Sequence, residues 1–581
     1  MKKIIGFQQE TENAAYVPAA ECRRKFEDVS LNEMAARCLK MLENSPHKEL
    51  DYECRFSNGM LGIPWQYPLC PPNETAFDPV SLGDTDIRML IAFPYMREMA
   101  GQKEVSETEK QLKKRVDGYI SEEGACLAGA QAFAGQPVKG EWACLWGGSH
   151  TIIAYCDAFE RTGEEAYRAK AVRCMEFWLG LADEKDGMLY FKYGNAPVRN
   201  RRWLKIGWAA AHRRNYPYIL TALLRVWLIT KNERYMDCAV RFGKGILAGV
   251  QRNMRELKVR RDGSFLGHVP VHTKMLAGMA MLGYLSGDEQ VIRFAWKCYS
   301  YIVRMGTDFG WYPEYIPPEE NLRSEMCVTG DMLEAAYYLA KCGYTAEYDR
   351  SERTYRNYMQ SSQFFRTKEF EELYFKVHAG EDAQKVKENY DSMSVMEGGF
   401  VAQLSINDYI TNFKHIGATG MNENGFQMMG CCQGAGMSGL YYLYKMLCEK
   451  GDDGVIRINM TLSADTAFAS LKEDYSAEAK LTVRSKCSGD FAVRVPTWAD
   501  KKKVYLLRGG KKTRAVPSEE GYVPVEGVRE GEEFGIAYDI LCFEQHFVPQ
   551  VKDTGEKYTI LWQGNKVAKI LPKGAYLSVY D

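Results

Sequence analysis

The chain has 581 residues, 46% hydrophobic and 26% charged, with 75 Lys and Arg against 76 Asp and Glu. This is an ordinary globular composition, which excludes disorder and coiled coil for most of the length. A net charge of -1 leaves no basic surplus for phosphates, and no stretch approaches the ~18 apolar residues of a membrane span, so neither nucleic acid nor membrane is expected as a partner. The apolar run in MKKIIGFQQE stops at Gln8, too short for a secretory signal, and the expected location is cytoplasmic. The 17 cysteines are odd in number and spread along the chain, unlike a secreted disulfide framework.

Residues 1–80 read as an irregular arm rich in proline (Pro64, Pro68, Pro71, Pro72) that could cross another part of the molecule. From 81 to 452 the apolar periodicity predicts long helices in pairs. Helix 148–162 turns at Thr162-Gly163-Glu164-Glu165 into 166–181, and helix 216–229 turns at Thr230-Lys231-Asn232-Glu233 into 234–250. Helix 271–285 turns at Ser286-Gly287-Asp288-Glu289 into 290–305, and helix 328–341 turns at Cys342-Gly343 into a polar helix. The first member of each pair is the more apolar and the second carries more charge, as in the inner and outer layers of a toroid. A hairpin at 84–119 and a late helix at 434–449 bring the count towards six. The expected fold is therefore mainly α with β, an (α/α)6 barrel over 81–452; an open solenoid fits the same periodicity.

After Gly451 the period changes to two. Segments 455–462, 479–485, 491–496, 503–509 and 521–525 alternate apolar and polar residues between clusters of Gly, Pro and Asp. They predict an antiparallel β-sandwich over 453–581.

Two cysteine clusters carry the chemistry. Cys431-Cys432 precedes a glycine-rich helix entry, and Glu325-Met326-Cys327 precedes helix 328–341. Helix entries at one end of a toroid surround one mouth, so Glu325, Cys327, Cys431 and Cys432 form a four-ligand set of the kind Zn²⁺ takes. Three core thiols and a carboxylate at a helix N-terminus fit the same spacing. His150 and His272 each sit near the start of an inner helix, which places both at that rim. Segment 307–325 carries Trp311, Tyr312 and the carboxylates Glu314, Glu319, Glu320 and Glu325, an aromatic and acidic mixture suited to sugars.

Taken together, the Gly-x-x-His at 147–150, His272, the Glu-x-Cys at 325–327, Cys431-Cys432, FAVRVPTWA (491–499) and GYVPVEGVREGEEF (521–534) resemble the β-L-arabinofuranosidase-type enzymes of glycoside hydrolase family 127 and relatives such as family 146. The resemblance implies an (α/α)6 barrel followed by β-sandwich structure, with zinc held by Glu325, Cys327, Cys431 and Cys432. It implies Cys431 as nucleophile, Glu314 as general acid/base with Glu319 or Glu320 as alternatives, and His150 and His272 on the sugar hydroxyls. Trp311 is the expected aromatic platform. The Pro-Pro-Asn usual after the cysteine pair is Gln433-Gly434-Ala435 here, and a histidine usual near the next inner helix is Tyr216. The implied activity is retaining hydrolysis of a β-L-arabinofuranoside or similar sugar in a small oligosaccharide or glycoside; a homodimer is left open. Another sugar on the same fold, or a non-catalytic carbohydrate-binding protein with structural zinc, are the rival readings.

Overall fold

The computed structural model describes residues 26–54, 57–61, 84–127, 142–191, 195–197, 218–249, 259–316, 323–412, 424–476, 478–549 and 557–581. Its helices are α1 (Leu31–Asn44), α2 (Asp86–Met99), α3 (Glu107–Asp117), α4 (Leu145–Thr162), α5 (Glu165–Leu179), α6 (Tyr218–Thr230) and α7 (Glu233–Ala248). They continue with α8 (Val269–Ser286), α9 (Glu289–Met305), α10 (Met326–Lys341), α11 (Ala346–Thr354), α12 (Lys368–Val377), α13 (Ala383–Ser392) and α14 (Gly430–Leu447).

The turn chemistry sets the pairs. Gly163 and Gly287 end α4 and α8 with φ of 71° and 68°, a left-handed conformation that glycine adopts without strain. The side chains of Asn232 and Asp288 then accept backbone N–H groups at the starts of α7 and α9. α8 is buried from Val269 to Gly283 except at Lys274, whereas α9 buries one face, and this difference sorts inner from outer helices.

The inner helices close into a ring. α2 packs on α4, α4 on α6, α6 on α8, α8 on α10, α10 on α14, and α14 returns to α2. The open solenoid is thereby excluded. Outside this ring α3, α5, α7, α9 and α11 each pack on the preceding inner helix. The sixth outer position is filled by α1, from within the expected arm, against α2 and α14. α4 begins earlier than expected and takes in Leu145, Trp146 and Gly147. A β-carbon on Gly148 would lie 2.2 Å from the indole nitrogen of Trp178, so glycine is what lets α5 approach.

After α14 the chain forms a four-stranded and a six-stranded sheet. Phe491 of the first meets Phe534 of the second edge-to-face, with ring centroids 5.2 Å apart. The described strands pair antiparallel as expected except at one place. Ile456–Ile458 runs parallel to Gly489–Arg494, because strands of the six-stranded sheet lie between them in sequence and serve as the crossover that parallel pairing requires. A three-stranded sheet (Cys542–Phe547, Tyr558–Gln563, Lys566–Leu571) returns to the toroid, where Gln545 donates to Asp308 at 2.9 Å. No helix among the described residues is long and apolar enough to cross a membrane.

Candidate metal centre

Glu325 is the N-cap of α10 and Cys327 its second residue; Cys431 and Cys432 are the second and third residues of α14. These helices are neighbours in the inner ring and cross at small residues. A β-carbon on Gly330 would stand 2.2 Å from the carbonyl oxygen of Ala435. The close crossing brings two helix N-termini to one point, and partial positive charge there favours thiolates and carboxylates.

One donor atom from each of Glu325, Cys327, Cys431 and Cys432 lies within 4.8 Å of the other three, and all four side chains are buried. Cys327 Sγ is 3.5 Å and Cys431 Sγ 4.0 Å from Cys432 Sγ, and Glu325 Oε1 is 3.9 Å from it. Two sulfurs on one tetrahedral zinc, at a bond length of about 2.3 Å, stand roughly 3.8 Å apart. The donor set therefore fits zinc in type, number and spacing. Hydrogen bonding among the three thiols draws Cys431 below its ordinary value, while Cys327 and Cys432 are pushed up. Burial and the neighbouring Cys327 raise Glu325 to about 7.

A second group adjoins the first. His268 Nε2 lies 3.3 Å from Glu325 and 3.8 Å from Glu314. Glu314 is buried, ion-paired with Arg323 and bonded by the Gln403 amide at 2.7 Å. Burial raises its carboxyl above the ordinary range, and Arg323 opposes that rise. Sequence reasoning missed His268 in favour of His272. The available signal was its place directly before a helix that opens Val269-Pro270, just as Glu325 directly precedes α10.

His150 and His272 have different surroundings. Arg88 connects the first to the cysteines: its Nη1 is 3.4 Å from the Cys431 carbonyl, and its guanidinium stacks 5.1 Å from the Trp146 ring. His150 lies beside that indole, and burial with nearby Arg88 and Lys274 holds it neutral. His272 stacks flat on Phe265 at 3.8 Å, with Nδ1 2.9 Å from the His268 carbonyl.

Trp311 is not an open platform. It is 1% exposed and donates its indole N–H to the Leu404 carbonyl at 2.9 Å, because its loop folds under the C-terminal sheet at Phe547. Glu319, Glu320 and Tyr216 lie outside the described residues. The glycines after the cysteine pair admit neighbouring elements. A β-carbon on Gly434 would meet Arg88 Cβ at 2.5 Å, and one on Gly436 would meet Phe400 at 2.8 Å. Gln433 clamps Phe400 by accepting its N–H at 2.7 Å and donating to its carbonyl at 2.6 Å.

The class that this architecture defines is one of fold, an (α/α)6 toroid followed by β-sheets, and it is shared with solved glycoside hydrolases over nearly the whole chain. A GH127 β-L-arabinofuranosidase from Geobacillus stearothermophilus T6 matches with a TM-score of 0.56 at 13% identity, covering 94% of this chain and 86% of that one. Another GH127 β-arabinofuranosidase matches with a TM-score of 0.55 at 14% identity, over 95% and 84% of the two chains. A third structure, described as a glycoside hydrolase, gives 0.52 at 11% identity, over 90% and 85%. No family model matches the chain, and no curated protein matches it by sequence.

Proposed function

We propose that this protein is a retaining glycoside hydrolase with a zinc-held cysteine nucleophile, removing β-L-arabinofuranosyl or similar residues from short glycosides. The observation that carries the reading is the buried set of Glu325, Cys327, Cys431 and Cys432, with donor atoms within 4.8 Å at two helix N-termini of the toroid. The solved structures of like fold, named as β-arabinofuranosidases, supply the substrate class.

Zinc bound by these four residues would keep the thiols deprotonated at neutral pH. Glu314, its Oε2 held by Arg323 and Gln403, turns Oε1 towards His268 and is the proton donor. It protonates the glycosidic oxygen as Cys431 sulfur attacks the anomeric carbon; the C–O bond breaks and a C–S bond forms. The Glu314 carboxylate then takes a proton from water, whose oxygen displaces the sulfur. Two displacements return the original configuration. A raised carboxyl suits the first step, since the group must arrive protonated.

Purified protein assayed on aryl furanosides and pyranosides tests the reading. Release of aryl alcohol from β-L-arabinofuranosides, with retention followed by NMR, is the expected outcome. A zinc site closed by four protein ligands also suits a purely structural ion. Zinc-loaded protein inactive on every glycoside, yet binding them, would establish the carbohydrate-binding alternative.

A further inference from the structure

α11 does not end where its α-helical bonding ends. It widens into a π turn at Tyr355–Met359 and continues to Ser362. A π turn inserts one residue and re-aims the side chains around it. Here adjacent residues reach opposite parts of the molecule. Asn357 accepts the Val567 N–H at 2.8 Å and donates to the Asn565 carbonyl at 2.9 Å, while Arg356 pairs with Glu473 and donates to the Thr461 carbonyl. These are contacts to the β-sheets. Tyr358 faces the toroid: it is 1% exposed, and its hydroxyl donates to Ser324 Oγ at 2.6 Å.

Ser324 lies in the middle of the backbone ladder that carries the site. Its Oγ accepts the Leu404 N–H at 3.1 Å and donates to the Leu404 carbonyl at 3.0 Å, and its own N–H donates to that carbonyl at 2.9 Å. Met326 N–H donates to the Ala402 carbonyl at 2.9 Å, so Glu325 is held between two such bonds. On the other edge, Glu314 N–H donates to the Arg323 carbonyl at 3.0 Å, and Gln403 reaches the Glu314 carboxyl. The ligand carboxylate and the proton donor of the proposed function thus hang from one three-segment ladder, braced from behind by the Tyr358 hydroxyl at Ser324 and by the Trp311 indole at Leu404.

We propose that Tyr358 is a positioning residue: by bonding Ser324 Oγ it sets the spacing of Glu325 and Glu314 from the same helix that anchors the β-sheets. This inference rests on the metal and acid roles given above. Tyr358→Phe keeps the ring and removes one oxygen, and is the decisive variant; Ser324→Ala removes this bond together with both Oγ bonds to Leu404 and should show at least as large an effect. In either variant the affinity for zinc should weaken by about tenfold, as when a partner behind a metal ligand is lost. Cobalt(II) in place of zinc should show an altered thiolate absorption band, and kcat should fall with KM nearly unchanged. Amide hydrogen exchange at Ser324 and Met326 should quicken in the metal-free variants. If the parent chain binds no zinc, the metal reading fails, and the exchange rates still decide the positioning role. Folded variants with parental zinc affinity, cobalt spectrum and exchange rates would overturn it.

Discussion

Gly439 of α14 lies against Gly330 of α10 so closely that a β-carbon on Gly439 would stand 2.6 Å from the Gly330 Cα. This backbone-to-backbone contact fixes how the two helices cross, and therefore where their first turns meet. Gly439→Ala should force the helices apart. Overpacking of this kind costs about 1–3 kcal/mol, more than alanine recovers in helix propensity. Denaturant titration should show the loss, together with weaker zinc binding although no ligand has changed.

Protein purified without added metal should carry one zinc per chain by elemental analysis. Cys432→Ala should reduce this most, since Cys432 Sγ stands 3.5 Å from Cys327, 4.0 Å from Cys431 and 3.9 Å from Glu325. Full zinc occupancy in that variant would place the ion elsewhere.

Cys431→Ser should abolish turnover, because a serine hydroxyl is a poor substitute for a thiolate in both ligation and attack. Glu314→Gln should slow substrates with poor leaving groups most and spare activated aryl glycosides in the first step. A slowly turned-over substrate should leave one sugar on the peptide bearing Cys431 by mass spectrometry. A label on a carboxylate instead would remove the thiolate mechanism.

The pH dependence follows from two raised carboxyls. In the proposed mechanism Glu314 is protonated in the first step, so kcat/KM should fall as pH rises through its folded pKa, which burial moves upward. Glu314→Gln should lack this alkaline limb. In the metal-free protein Glu325 stands at about 7 against an ordinary 4.5. A carboxyl raised on folding stabilises below its unfolded value, and that contribution is lost as pH rises to the folded one. Metal-free protein should thus lose stability from about pH 4.5 to 7 through this group, while zinc affinity climbs as ligand protons leave. Thermal melts and zinc titrations across that range check both slopes.

Trp311→Phe should lower the melting temperature and leave KM unchanged, because it removes a buried bond to Leu404 and no open surface. A large rise in KM with unaltered stability would restore Trp311 to the substrate.

The sequence by itself determined what local chemistry encodes. Gly163 and Gly287 marked helix ends, Asn232 and Asp288 marked starts, and the change of period after Gly451 marked the passage to strands. The types of Glu325, Cys327, Cys431 and Cys432, each at a helix entry, marked a candidate metal-binding set before any contact was known. Only the tertiary structure decided what depends on distant segments meeting. Ring closure needed α14 to return to α2, since periodicity is the same in an open and a closed stack. The convergence of residues 325–327 with 431–432 needed glycines that pack backbone on backbone. Trp311 and His272 carry side chains equally suited to sugar and to core, and their burial was settled by Phe547 and Phe265, elements with no local signature beside them. The role of His268 was settled only when its ring fell between Glu314 and Glu325, because a position just before the Val269-Pro270 helix start marks a helix entry and says nothing of which distant residues face it.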